Sequence, residues 1–271
     1  MGKIYFKPFN IDWQHLGLIK QLIRRDIQLR YRGSLLGFFW PLFNPFLYLG
    51  IYLLIFSYFL PLRAGNVENG QGGEGFILSV FLGLIVFNLF SDCINRAPTL
   101  ITSNPNYVKK VVFPLELLAF VPVGAAFYNL VIGFIAWSFM YLYFFGSLSW
   151  HVILGPIIAF PLILFILGLS WILSALGVYV RDINHLMAPV TQLLMFLSPI
   201  FYTLKEAPQW AKQLILLNPV SFIIEQERLL LINGSTLDIL GFIIYISVGL
   251  MFFLIGIWFF NASRSSFSDV L

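Results

Sequence analysis

Charge is scarce in this chain of 271 residues: Asp, Glu, Lys and Arg make up 10% of it, against 59% hydrophobic residues. An ordinary soluble domain is roughly a quarter charged, so water is excluded as the solvent for most of this polypeptide. Cysteine is nearly absent, and the single Cys93 rules out both an intrachain disulfide framework and a thiolate-rich metal site. The three histidines, His15, His151 and His185, are far apart and near no carboxylate cluster, so no metal site and no catalytic residue is expected. The Gly-rich Walker pattern that grips nucleotide phosphates is also missing, which excludes ATP hydrolysis by that route. Residues Met1 to Trp13 lack the apolar core and small-residue cleavage site of a secretory signal, so the spans themselves are expected to direct insertion.

What remains is apolar sequence in long continuous runs, which argues for helices rather than an alternating β-barrel. A hydrocarbon core of about 30 Å takes about 20 residues of helix. The predicted fold is all-α and polytopic, with six transmembrane helices over residues 35–60, 76–95, 123–145, 152–180, 186–202 and 239–260. In the second of these only Phe76 to Ser91 is apolar, a stretch short enough to require tilt or bilayer thinning. The run from Val111 to Phe145 is too long for one crossing. Pro114 and Pro122 punctuate its start, which predicts an interfacial approach segment ahead of the span. Residues 208–233 mix apolar runs with Lys212, Glu225, Glu227 and Arg228 and break at Asn218-Pro219. A re-entrant pair of short helices and an amphipathic outer-surface loop both fit, and the former is preferred. Twelve of the sixteen Lys and Arg residues fall on one side of this topology, which makes both termini cytoplasmic.

Three segments carry candidate function. Residues 12–33 read as a basic amphipathic helix, with Leu16, Ile19, Ile23, Ile27 and Tyr31 on one face and Lys20, Arg24 and Gln28 on another. Such a helix lies in the cytoplasmic interface, either as an anchor to anionic lipid or as a gate where a lipid phosphate meets Arg24, Arg25, Arg30 or Arg32. The cytoplasmic loop 96–113 has a turn signal at Asn104-Pro105-Asn106 and then Lys109-Lys110. It is either a solvated loop or a short helix presented to a soluble partner. Tyr48, Tyr52, Phe56 and Phe59 recur at helical spacing after Trp40, and Phe196, Phe201 and Tyr202 gather around Ser198-Pro199. Such rings more often serve packing or lipid contact, and they also suit a conduit in which flat apolar faces meet sugar rings. Gly168, Ser174 and Gly177, with Gly249 and Gly256, allow close helix contact. Charge at mid-depth costs about 2.5–3.5 kcal/mol, and Asp92, Glu116, Arg181 and Asp182 all sit near span ends, so an ion relay has little to use.

The order of several short pieces is similar to a known family. Arg25-Asp26-Ile27, Arg30-Tyr31-Arg32, Ser34, Leu36-Gly37 and Trp40-Pro41 resemble the signature at the first span of type-two ABC transporter permeases that export polysaccharides, the Wzm O-antigen permeases and their teichoic-acid relatives. Lys109-Lys110-Val111, Phe113-Pro114, Val180-Arg181-Asp182-Ile183, Ser198-Pro199-Ile200 and Leu217-Asn218-Pro219 extend the resemblance over most of the chain; Tyr107 stands where an aliphatic residue is more usual. The resemblance implies a multi-pass permease of the inner (cytoplasmic) membrane, paired with a second copy of itself and two cytoplasmic ATPase subunits that hold ATP and Mg. It implies that this chain binds no cofactor and no nucleic acid, and that a lipid-linked polysaccharide crosses between the two copies. It further implies that the Leu36-Gly37 turn borders the entrance and that Arg96, Asn104, Tyr107, Lys109 and Lys110 belong to the ATPase-coupling loop. An exporter of small lipids or drugs on the same fold, a membrane enzyme acting on lipid-linked sugar, and an ion-coupled carrier are the competing readings.

Overall fold

The computed structural model describes residues 13–34, 39–55, 72–109, 113–204 and 207–270, and among them every regular element is helical. Helix α1 (Trp13–Tyr31) is the amphipathic segment. Its Ile19 and Leu22 are buried, and it ends just before Gly33, whose φ of 82° is left-handed. Helix α2 (Trp40–Leu54) follows and carries Pro45 inside it.

Helix α3 (Gly72–Arg96) is 25 residues long. At 1.5 Å per residue it extends about 37 Å, and it contains the predicted 76–95 span with the apolar stretch Phe76 to Ser91 in its interior. Backbone hydrogen bonding continues through the polar ends because Asp92 and Arg96 find charged partners there. This helix is the centre of the molecule, with Leu78, Val80, Val86 and Cys93 fully buried.

A 3₁₀ turn at Ala97–Thr99 leads to the short helix α4 (Pro105–Lys109). A second 3₁₀ segment, Leu115–Ala119, precedes helix α5 (Phe120–Phe145), where the two prolines divide the long apolar run. Helix α5 stops at Gly146, left-handed at φ 70°, whose N–H caps the Leu142 carbonyl at 2.9 Å. Trp137 of α5 donates its indole N–H to the Leu78 carbonyl at 2.9 Å, so the large buried ring leaves no orphan donor.

Helix α6 (Gly155–Ile158) is a single turn before α7 (Phe160–Tyr179). Helix α8 (Ile183–Leu197) is 15 residues long, about 22 Å, and ends before residue 202. The expected 186–202 span is therefore shortened: Ser198, held extended ahead of Pro199 at ψ 143°, turns the chain away. Two short helices, α9 (Gln209–Leu217) and α10 (Pro219–Leu231), are separated at Asn218. Helix α11 (Ile239–Ser263) and the final turn α12 (Phe267–Val270) complete the chain.

Four helical stretches, Gly73–Thr99, Leu115–Phe145, Trp150–Tyr179 and Ile239–Ser266, are long and apolar enough to cross a bilayer, and Ile183–Leu197 is a shorter apolar helix. Helices α7 and α11 form the closest pair. A Cβ built on Gly256 would lie 2.2 Å from the Gly168 carbonyl oxygen, and one on Gly168 would lie 2.2 Å from that of Phe252. Only glycine allows the two backbones this approach.

Candidate functional site: a polar cavity beneath the interface helix

Helix α1 rests on α5 where a Cβ on Gly124 would collide with Ile23 Cδ1 at 2.2 Å. Its charged side chains then turn toward α3. Arg30 donates from Nη1 to Asp92 Oδ2 at 2.8 Å and from Nε to Asp26 Oδ2 at 3.3 Å. Arg96 grips Asp26 with both Nη atoms, at 2.6 and 3.0 Å. Burial works against the Arg30 charge, but Asp92 and Asp26 more than offset it and lift its pKa above the ordinary arginine value. The lattice is two arginines against two aspartates, with no net charge.

Arg30 and Asp92 of this lattice border a cavity of about 630 Å³. Arg30 and Tyr31 of α1, Asn44 and Tyr48 of α2, Asn88, Ser91, Asp92 and Asn95 of α3, and Asn129 of α5 line its polar part; Phe81, Leu84, Ile85, Leu130 and Met195 line the apolar part. Asn88 is the exposed residue in the otherwise buried run 80–90 of α3. Asn95 accepts from the Thr191 hydroxyl at 3.2 Å, which ties α8 to the same wall. Tyr31 and Asn129 both line the cavity, from α1 and α5. Arg30 Nη2 is buried and has no hydrogen-bond partner among the described residues.

The structure thus brings Arg30 and Tyr48, expected in two separate sites, to one cavity. Arg24 and Arg32 are exposed. Arg25 donates from Nη1 to the Tyr107 hydroxyl at 3.1 Å, joining α1 to α4. The Tyr107 ring packs on Phe113 at a centroid distance of 4.4 Å. Arg96 faces Asp26, as above, and Asn104 donates to the Leu100 carbonyl at 2.9 Å, bracing the turn before α4. Trp40 packs edge-on against Phe43, Tyr52 lies on α2 and Lys109 ends α4. Phe196 is exposed on α8, and Tyr202 donates its hydroxyl to the Phe196 carbonyl at 3.1 Å, while Phe201 packs on the core. Leu36, Gly37, Phe56, Phe59 and Lys110 lie outside the described residues. Among the described residues no three His, Cys, Asp or Glu side chains gather in a way that holds a metal ion.

Sequence reasoning missed the aspartates and the asparagines. A signal was present: Asn88, Asp92 and Asn95 follow one another at helical spacing inside an apolar run, and Asp26 stands four residues before Arg30.

A second polar cluster lies at the far end of α3. Arg228 of α10 is 7% exposed. Its guanidinium donates to Ser79 Oγ at 2.5 Å, to the Pro199 carbonyl at 2.6 Å and to Glu225 Oε1 at 3.0 Å. Asn218 accepts from the Val220 N–H at 3.1 Å, capping α10, and donates to Ser198 Oγ at 2.9 Å and the Leu194 carbonyl at 3.0 Å. The Ser198-Pro199-Ile200 and Leu217-Asn218-Pro219 pieces are therefore two halves of one hydrogen-bonded joint.

Helices long and apolar enough to cross a bilayer, packed on one another through glycines, mark a polytopic membrane protein. Residues 17–232 match the ABC-2 type transporter family, and the chain belongs to it. It is 30% identical over 210 residues to the O-antigen export system permease protein RfbA of Myxococcus xanthus, covering 77% of each chain. It is 28% identical over 268 residues to a protein of the same name from Klebsiella pneumoniae, covering 94% of this chain and 95% of the relative. A further Klebsiella pneumoniae protein of that name is 26% identical over 261 residues.

Proposed function

We propose that this chain is the membrane permease of an ATP-driven exporter that moves lipid-linked polysaccharide of O-antigen type across the inner membrane. The observation that carries the reading is the near end-to-end similarity to relatives named as O-antigen export permeases. Two copies form the passage, and two cytoplasmic ATPase subunits, which hold ATP and Mg, supply the energy.

In this reading the chain crosses the bilayer six times with both termini in the cytoplasm. The side-chain pairs support it, because groups assigned to the cytoplasmic side meet one another: Arg25 with Tyr107, Asp26 with Arg96, Glu116 with Arg264 at 2.9 Å. Helices α9 and α10 enter the outer half of the membrane and return, with the α10 side chain Arg228 held by protein acceptors. The exposed Arg24 and Arg32 offer charge to the lipid phosphate at the interface. Helix α4 meets the ATPase, and its bond to α1 carries motion from the nucleotide cycle to the entrance. Tyr48 and Phe196 offer apolar area to sugars in the passage between the two copies.

The test is reconstitution of the permease with its ATPase in inverted vesicles loaded externally with lipid-linked glycan. Protected polymer that accumulates only with hydrolysable ATP supports the proposal. Efflux of small amphiphiles with no glycan uptake contradicts it and favours a small-lipid exporter of the same fold.

A further inference from the structure

The cavity beneath α1 is lined by two charged residues, Arg30 and Asp92, which neutralise each other. Arg30 and Arg96 are matched by Asp26 and Asp92 at 2.6 to 3.3 Å. A phosphate brought to Arg30 would face the Asp92 carboxylate, 2.8 Å from the same guanidinium. What the walls offer instead is neutral hydrogen-bonding capacity. Each asparagine amide presents two donors and an acceptor with two lone pairs, and Ser91 adds a hydroxyl that both donates and accepts. Above this polar floor stand Tyr48 and an apolar wall. A sugar has the complementary form, with a rim of hydroxyls that donate and accept and C–H faces that pack on rings. The volume of about 630 Å³ falls within the roughly 300–1,000 Å³ typical of small-molecule sites.

We infer that this cavity is a sugar-binding subsite that takes an uncharged, polyhydroxylated ring of the cargo, with Asn88 and Asn129 as its specificity-determining residues, while the lipid phosphate stays outside on the exposed arginines. The inference rests on the polysaccharide-export reading and adds to it where the glycan, as distinct from its lipid, is first read. Asn88 is placed for this role by its exposure within a buried helix, and Asn129 by its place in the cavity wall on α5, where it faces the same space.

The experiment uses the complete permease–ATPase complex in lipid nanodiscs and two probes, a polyprenyl diphosphate without sugar and the same lipid bearing one N-acetylhexosamine. The half-saturating concentration of each for stimulating ATP hydrolysis is measured for wild type, Asn88→Leu, Asn129→Leu and Asn88→Gln. The sugar-bearing lipid is expected to act at the lower concentration in wild type. Each Leu variant should raise its half-saturating concentration about 3- to 10-fold, the effect of one lost hydrogen bond, and shrink its advantage over the bare lipid. Asn88→Gln, which keeps the amide, should retain part of that advantage and show that an apolar helix face tolerates change at this position. Equal potency of the two lipids in wild type, or a rise in both concentrations together in the Leu variants, would overturn the sugar assignment and make the cavity a phosphate site. Stimulation by neither lipid, in a complex that still hydrolyses ATP, would remove the export reading and this inference with it.

Discussion

The two ends of helix α3 are held by opposite means. At the Arg96 end the contacts are ion pairs between side chains about a fifth to a third exposed, Asp26, Arg30, Asp92 and Arg96. At the Ser79 end one buried arginine, Arg228, is fixed by carbonyls, a hydroxyl and a carboxylate, beside the Asn218 joint. Partly exposed pairs contribute little each and exchange partners at low cost, whereas a buried cation is tightly bound to its acceptors because losing one strands the rest. The difference teaches which end can be remade: the α1 end is latched by contacts that exchange at low cost, and the Arg228 end by contacts that do not.

Breaking the fixed end should have the largest effect. Arg228→Leu leaves the Pro199 carbonyl and Ser79 without their donor and Glu225 without its counter-charge, so unfolding in detergent should show a loss of about 3–5 kcal/mol. Arg228→Lys should recover only part of it, since an ammonium lacks the planar fork that reaches several acceptors at once. A loss below about 1 kcal/mol for Arg228→Leu would erase the contrast between the ends.

Gly256→Val comes next. Its Cβ would sit 2.2 Å from the Gly168 carbonyl, so α7 and α11 must part, at a cost of about 1–3 kcal/mol or more. The same thermal measurement checks it. Asn218→Ala removes the α10 cap and the bond to Ser198 together and should cost about 1–2 kcal/mol.

The α1 end should respond differently. Asp92→Asn keeps the shape of its partnership with Arg30 but removes a charge from a lattice that is a fifth to a third exposed, so stability should change by no more than about 1 kcal/mol. Its effect should appear in coupling, as more ATP hydrolysed per polymer exported. Tyr107→Phe is expected to give the smallest change in stability, within about 0.5 kcal/mol, because it deletes one exposed hydrogen bond and keeps the ring on Phe113. A double-mutant cycle with Arg25→Gln, read as export rate, would isolate what that bond transmits.

Helix positions were largely legible in the residues, for a physical reason: apolar runs and proline breaks act locally. The break at Asn218-Pro219 separates α9 from α10, and Pro114 with Pro122 brackets the 3₁₀ segment before α5. Lengths were less legible where polar ends continue a helix. The apolar stretch Phe76 to Ser91 is shorter than α3, whose polar end holds Asp92 and Arg96, with partners 62 and 70 residues away in the chain. Helix α8 stops short of residue 202 because Asn218 bonds to Ser198 and Arg228 to the Pro199 carbonyl, contacts that no local pattern announces. In the candidate site, Arg30 and Tyr48 were recognisable by type. That they share a cavity with four asparagines depends on the pairing of α1, α2, α3 and α5, which no local pattern specifies.

The most direct measurement is photo-crosslinking within a working exporter. A photoreactive residue is placed at Asn88, and at Ile243 on the exposed face of α11 as a lipid-facing control, in the reconstituted complex supplied with radiolabelled lipid-linked glycan. The account expects label from the sugar portion at position 88 while ATP is being hydrolysed, and little at position 243. Equal labelling of the two positions, or none at 88 during active export, would contradict it.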